Sequence, residues 1–464
     1  MRFGITRWAC AFVVALAYPA ASWFLPVSAA ARISTRPQSP FVLPVVKRDS
    51  LLNGLQLITL EQPGTGGVSV HLRINTGALF DLAGKGGLAD ITAGMLLRGG
   101  GGLDSKNVTD FVEHAALTVN VDVGWDSTDI VVSGPSDTLE PIIDLISRLV
   151  ITPTFDQKEL DALKTERIDA IKKEKGEASE VARLAVEAVY GSHPFGKPVR
   201  GTADSIGQIA KADLSFFHGR YYLANNSELA VSGDVTAEQV TRLGRAKLGA
   251  WKKGDKIPPT FRAPDSQPLK RLVIADRPLA PEAYAAIAQR GFSRRTDDYF
   301  AAIIMVELLG KALAQQVKAG NNSTATLAFK PHLLDGPMLV EIESDLESLP
   351  ASIDAVLSIM ASFQQNQPSV EQVEAAKSRL IQSMSERLRT PAGAAEVILD
   401  IDTFNLGRDY LISFADKLGA VAPADVMKAA HSHLHPENVA VVVSGPANKL
   451  EGPLKKFGNV AATR

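Results

Sequence analysis

Ser205-Ile206-Gly207-Gln208-Ile209-Ala210-Lys211-Ala212-Asp213-Leu214 is echoed 212 residues later by Lys417-Leu418-Gly419-Ala420-Val421-Ala422-Pro423-Ala424-Asp425-Val426. The same offset pairs Asn226 with Asn438, and Val231-Ser232-Gly233-Asp234 with Val443-Ser444-Gly445-Pro446. One spacing serving three segments marks an internal duplication, and two copies at this period make a doubled domain rather than a solenoid. Between the copies, residues 252–268 combine charge, Gly254 and four prolines, which sustain neither a helix nor a central strand. The expected division is an N-terminal half at 48–251, a linker at 252–268 and a C-terminal half at 269–464.

Each half reads as strands, then helices, then a strand. In the first, Leu55–Leu60, Val68–Asn75, Ser127–Ser133 and Leu229–Ser232 are apolar or alternating and rich in β-branched residues, while Thr138–Leu149, Gln157–Lys173 and Ser179–Tyr190 carry helical patterns. In the second, Arg271–Ala275, Pro337–Ile342 and Val439–Ser444 read as strands, and Tyr299–Gln316, Leu349–Gln364 and Val370–Arg389 as helices. Grouped elements predict an α+β fold: two homologous halves, each a mainly antiparallel sheet with helices packed on one face.

The chain has 464 residues, 49 Lys+Arg against 51 Asp+Glu and a formal net charge of −2. This is a globular composition, and its interspersed charges offer no footprint for a nucleic acid. Residues 1–31 look like an export signal: Arg2 and Arg7, the apolar run Trp8–Tyr18, and small residues around Ala30. The single cysteine, Cys10, lies within it. Residues 32–47, with Pro37, Pro40 and Pro44, read as an extended lead-in before folding begins near Ser50. The chain beyond this signal is expected to hold no second apolar run long enough to span a bilayer, so the mature chain is expected without a membrane span and exported, periplasmic in a Gram-negative bacterium and otherwise secreted.

Gly87-Leu88-Ala89-Asp90-Ile91-Thr92-Ala93-Gly94-Met95-Leu96-Leu97-Arg98-Gly99-Gly100 follows a strand and the turn Gly77-Ala78-Leu79-Phe80-Asp81. Further on come Glu166-Arg167 on a long helix, Tyr190-Gly191-Ser192-His193-Pro194-Phe195-Gly196-Lys197-Pro198 with Gly201, and Phe217 to Asn226 leading to Gly233-Asp234. In this order the segments resemble the pitrilysin/insulinase family of zinc peptidases, across nearly the whole mature chain. That family carries an inverted zinc motif, H-x-x-E-H, on a helix. Two imidazoles one turn apart and a carboxylate from a second helix grip Zn²⁺, and the Glu takes a proton from the bound water.

In this resemblance the first His position is Asp90, the Glu position Ala93 and the second His position Gly94. The third ligand, seven residues beyond Glu166, falls on Lys173, and Glu166 matches an acidic residue behind the ligands. A glycine offers no donor, an alanine accepts no proton, and an ammonium repels a divalent ion. The family's substrate-holding Arg, with a Tyr seven residues on, falls on Lys318 and Ala325; Lys318 keeps charge without the guanidinium fork. His431, His433 and His435 read as surface and packing histidines at a helix end, and Gly99–Gly102 as a flexible helix exit.

The expectation is therefore a non-catalytic subunit without a cofactor. The resemblance implies that it forms half of a clam-shaped chamber, as a heterodimer with a subunit bearing an intact H-x-x-E-H, around unfolded peptides that add a strand to a sheet edge. Two alternatives stay open. One is an active zinc endopeptidase with a displaced site using Asp90, Glu166 and a histidine; the other is a purely structural assembly protein of the same fold.

Overall fold

The two echoed segments fold alike because each starts a helix with the same cap. Asp213 accepts the backbone N–H of Ala210 at 2.8 Å, and Asp425 accepts that of Ala422 at 2.8 Å. A carboxylate three positions into the helix thus satisfies a donor left open at a helix start. The helices that follow and the strands after them lie 212 residues apart, at Lys211–Tyr221 and Pro423–His433, then Ser227–Gly233 and Val439–Gly445. The computed structural model describes Phe41 and residues 45–173, 176–255, 270–278, 282–320 and 323–461. The export signal, most of the lead-in and most of the linker lie outside these residues.

In the first half the elements are β1 (Val45–Ser50), β2 (Gln56–Glu61), β3 (Gly67–Ile74), α1 (Leu88–Leu96), β4 (Gly99–Gly100), β5 (Leu103–Asp104), α2 (Ser105–His114), β6 (Thr118–Val123), β7 (Thr128–Pro135), α3 (Leu139–Ile151), α4 (Gln157–Lys173), α5 (Glu177–Tyr190), α6 (Ala203–Gly207), α7 (Lys211–Tyr221), β8 (Ser227–Gly233) and α8 (Ala237–Leu248). The second half holds β9 (Lys270–Asp276), β10 (Glu282–Arg290), α9 (Tyr299–Gly320), β11 (Ser323–Phe329), β12 (Pro337–Asp345), α10 (Leu349–Gln365), α11 (Val370–Arg389), α12 (Pro391–Thr403), α13 (Tyr410–Gly419), α14 (Pro423–His433), β13 (Val439–Gly445), α15 (Ala447–Leu454) and β14 (Asn459–Ala461).

One sheet runs β1-β2-β8-β3-β7-β6 and the other β14-β9-β13-β10-β12-β11. Setting aside β1 and β14, the two share one order and one set of directions. β2 and β8 are parallel, as are β9 and β13, and every other neighbour is antiparallel. The fold is α+β with two homologous halves.

Alternation along β3 explains how a sheet acquires two different faces. Val68, Val70, Leu72 and Ile74 enter the core of their own half beneath α1 and α3, while Ser69, His71 and Arg73 point the other way. That second face is covered by the other half. α12 packs on β8 and β3, and α5, its counterpart in the duplication, packs on β10 and β13. Val181 and Ala185 of α5 meet Ala286, Ala288 and Val442. β13 is therefore apolar on both sides, which is why Val439–Gly445 reads as an unbroken run.

Two details correct the sequence reading. Folding begins before Ser50, since β1 pairs with β2 from Val45 onward, inside the stretch expected to be extended lead-in. Its side chains are mostly exposed, so backbone pairing holds it without a hydrophobic signature. The four glycines from Gly99 make a tight hairpin rather than a flexible exit: β4 pairs with β5, and Gly101 turns at φ 58° with its bare Cα against Arg148.

Candidate functional site

α1 is placed by its first turn. Asp81 accepts the backbone N–H of Gly87 at 2.7 Å and that of Ala89 at 2.8 Å. Gly87 stands at φ +90° with its bare side 2.7 Å from the carbonyl oxygen of Arg200, where a Cβ would collide. Burial pushes the Asp81 carboxyl up to about 7, against the pull of these N–H groups.

Along α1, Asp90 and Ala93 are buried. Asp90 accepts a hydrogen bond from Arg167 Nε at 2.8 Å. Burial raises its carboxyl pKa, and Arg167 opposes the rise. A Cβ at Gly94 would sit 3.0 Å from Leu163 Cδ2 and 3.5 Å from Arg167 Nη2. Leu163 and Arg167, one turn apart on α4, therefore fill the space a second imidazole would need. Glu166 turns instead to Arg98, accepting from Nη2 at 2.5 Å, and Arg98 also lies 3.7 Å from Glu159. Lys173 is exposed at the end of α4.

This set does not fit a zinc ion. The one carboxylate on the α1 turn is bound to a guanidinium, Gly94 brings no donor, and the facing helix presents a hydrocarbon and a fixed cation. Asp90 and Glu166 are each paired with an arginine. Among the described residues no group of three or more His, Cys, Asp or Glu side chains converges as a metal site. The sequence reading missed Arg167, although it stands beside Glu166 and shares a helix face with Leu163, four residues earlier.

Beside α1 runs β6, which ends its sheet and, among the described residues, pairs only with β7. Thr118, Asn120 and Asp122 are exposed and alternate with half-buried Val119, Val121 and Val123. The edge leaves backbone N–H and C=O groups open to an added strand. In the second half, the Lys318 side chain lies outside the described residues, and Ala325 is buried on β11 without a hydroxyl to offer. His433 hydrogen-bonds Asp298 through Nε2 at 2.9 Å in the last turn of α14.

On the sheet face away from α1, a cleft of about 470 Å³ is lined by His71, Arg73, Trp125, Asp129, His332 and Gly393 among others. Arg73 Nε donates to Asp129 at 2.6 Å and its Nη1 to Asp400 of α12 at 2.8 Å. His332 Nδ1 lies 2.6 Å from Asp126 Oδ2. Burial pushes the Asp129 carboxyl up, but the hydrogen bond from His71 and the charge of Arg73 outweigh it and hold the group well below the usual carboxylate range.

Comparison with known proteins accords with this geometry. Residues 56–203 match the family model "Insulinase (Peptidase family M16)", and residues 208–380 match "Peptidase M16 inactive domain". An "uncharacterized zinc protease" of Rickettsia bellii is 22% identical over 211 residues, 44% of this chain and 50% of that protein, so the chain spans about half the length of that relative. The "non-peptidase homolog YmxG" of Helicobacter pylori is 19% identical over 392 residues, covering 82% of this chain and 90% of that one. The crystal structure of a peptidase M16 inactive domain from Pseudomonas fluorescens superposes with a TM-score of 0.80 at 22% identity, over 87% of this chain and 98% of that one. The two family models together span most of the sequence, which nowhere contains H-x-x-E-H: the chain belongs to the insulinase family of peptidases, M16, as a member with a degenerate zinc site.

Proposed function

We propose that this chain is a non-peptidase subunit of an exported zinc metallopeptidase, forming part of the wall of a chamber that encloses unfolded peptides. The observation that carries this reading is the Asp90–Arg167 pair against Gly94, where catalysis in this family needs two imidazoles and a base. The neighbouring edge of β6, unpaired among the described residues, offers what peptide binding needs, namely a row of backbone donors and acceptors. The names of the Helicobacter and Pseudomonas proteins support a non-peptidase reading. The N-terminal segment, with Arg2, Arg7 and the apolar run that follows, supports export.

In this role the chain takes no cofactor of its own. Its partner is a second chain with an intact H-x-x-E-H, and the two together make a heterodimer. Copurification from the native source tests the reading. A companion chain bearing that motif is expected in a defined ratio, whereas a strictly monomeric protein would count against it. Peptide binding by the complex separates this role from that of an assembly protein.

A further inference from the structure

Beside the turn that matches the family's zinc motif stands a positive charge held in a fixed position. Asp90 holds Arg167 through Nε alone, and no other partner of Arg167 is seen among the described residues. Its Nη2 lies over the bare turn at Gly94, and the side chain is 37% exposed. The neighbouring Arg98 differs, since Glu166 and Glu159 both engage it. A guanidinium anchored through Nε leaves its terminal N–H groups for another acceptor, and a carboxylate is the group such donors hold with charge-assisted bonds. The anchor stands beside the β6 edge: α1 packs on β6, and Asp122 of that strand acts electrostatically on Asp90.

We propose that Arg167 is a carboxylate receptor, binding the free C-terminus or an acidic side chain of a peptide laid along β6. This deepens the peptide-enclosing reading and rests on it. A group that in catalytic relatives polarises a carbonyl is replaced here by one that recognises an anion, so peptide selection takes the place of hydrolysis. Asp122 at the strand edge repels the same anion and limits the gain to ligands whose carboxylate reaches the guanidinium.

Three fluorescein-labelled peptides of one extended Val/Thr-rich sequence test this on the full mature chain. One has a free C-terminus, one is amidated, and one is amidated with a single internal Glu. Amidation is expected to weaken binding about tenfold or more, as loss of a charge-assisted hydrogen bond implies. Recovery by the Glu peptide assigns the site to side-chain carboxylates, and no recovery assigns it to the C-terminus. Arg167→Lys keeps the charge over Asp90 and is expected to fold while losing most of the discrimination. Arg167→Gln is expected to abolish it and, should it fail to fold, the wild-type comparison stands alone. Equal binding of all three peptides would overturn the carboxylate receptor while leaving peptide binding intact. Binding of none would overturn the carboxylate receptor, and the chamber reading would then stand or fall on peptide binding by the heterodimer.

Discussion

At Gly94 the chain has lost more than a ligand, because the space beside it has been filled. Leu163 Cδ2 lies 3.0 Å from where a Cβ would stand, and Arg167 keeps its charge over the same turn. Grafting the motif back as Asp90→His, Ala93→Glu and Gly94→His is therefore expected to leave the protein without equimolar zinc after dialysis, as read by atomic absorption. Equimolar zinc would show that the pocket is still open. Asp81, which caps the same helix, gives a pH signature. Its folded pKa of about 7 lies above the ordinary 3.8. Between these values the folded state keeps a proton that the unfolded chain releases, so this group's contribution is full below about pH 4 and lost as pH rises toward 7. The urea midpoint of Asp81→Asn is expected to fall less steeply across that window than that of the parent. The missing donors were legible because glycine and alanine exclude chemistry wherever they stand. Arg167 was not, since its meaning depends on which face of α4 turns to α1.

Among the elements, the exchanged helices α5 and α12 decide how the halves hold together. α12 reaches the polar face of the first sheet, and Arg73 joins Asp129 on that sheet to Asp400 on the helix. Asp129→Asn leaves the buried Arg73 with Asp400 as its one remaining carboxylate partner among the described residues and is expected to cost about 3–5 kcal/mol near neutral pH. Asp129's folded pKa is depressed, so its contribution is present above the unfolded value and lost as pH falls through the folded one. The gap between parent and variant in urea denaturation is thus expected to narrow below about pH 4. An unchanged gap in acid would remove Asp129 from this role. Helices such as Val370–Arg389 announced themselves through periodicity, with a Ser369 cap ahead of them. Strands β6, β10 and β11 went unread. β10 is alanine-rich, Glu-Ala-Tyr-Ala-Ala-Ile-Ala-Gln-Arg, and its small residues make room for α5, a tertiary cause that no local pattern displays.

For the whole molecule, the duplication was legible in a single offset, but the exchange of helices was not, because a repeat does not state which sheet a helix covers. The exchange implies one cooperative unit. Trp125 and Trp251, the tryptophans beyond residue 40, both lie in the first half, whereas circular dichroism reports on both halves. Urea transitions followed by the two signals are expected to coincide, and separated midpoints would mean halves that unfold independently. The central claim concerns catalysis by partnership. The direct measurement is turnover of a quenched, unfolded peptide by the mature chain alone, by a companion bearing H-x-x-E-H alone, and by their mixture, each with and without a chelator. The account predicts no cleavage by this chain, and chelator-sensitive cleavage by the mixture well above that of the companion alone. Chelator-sensitive cleavage by the isolated chain would contradict it.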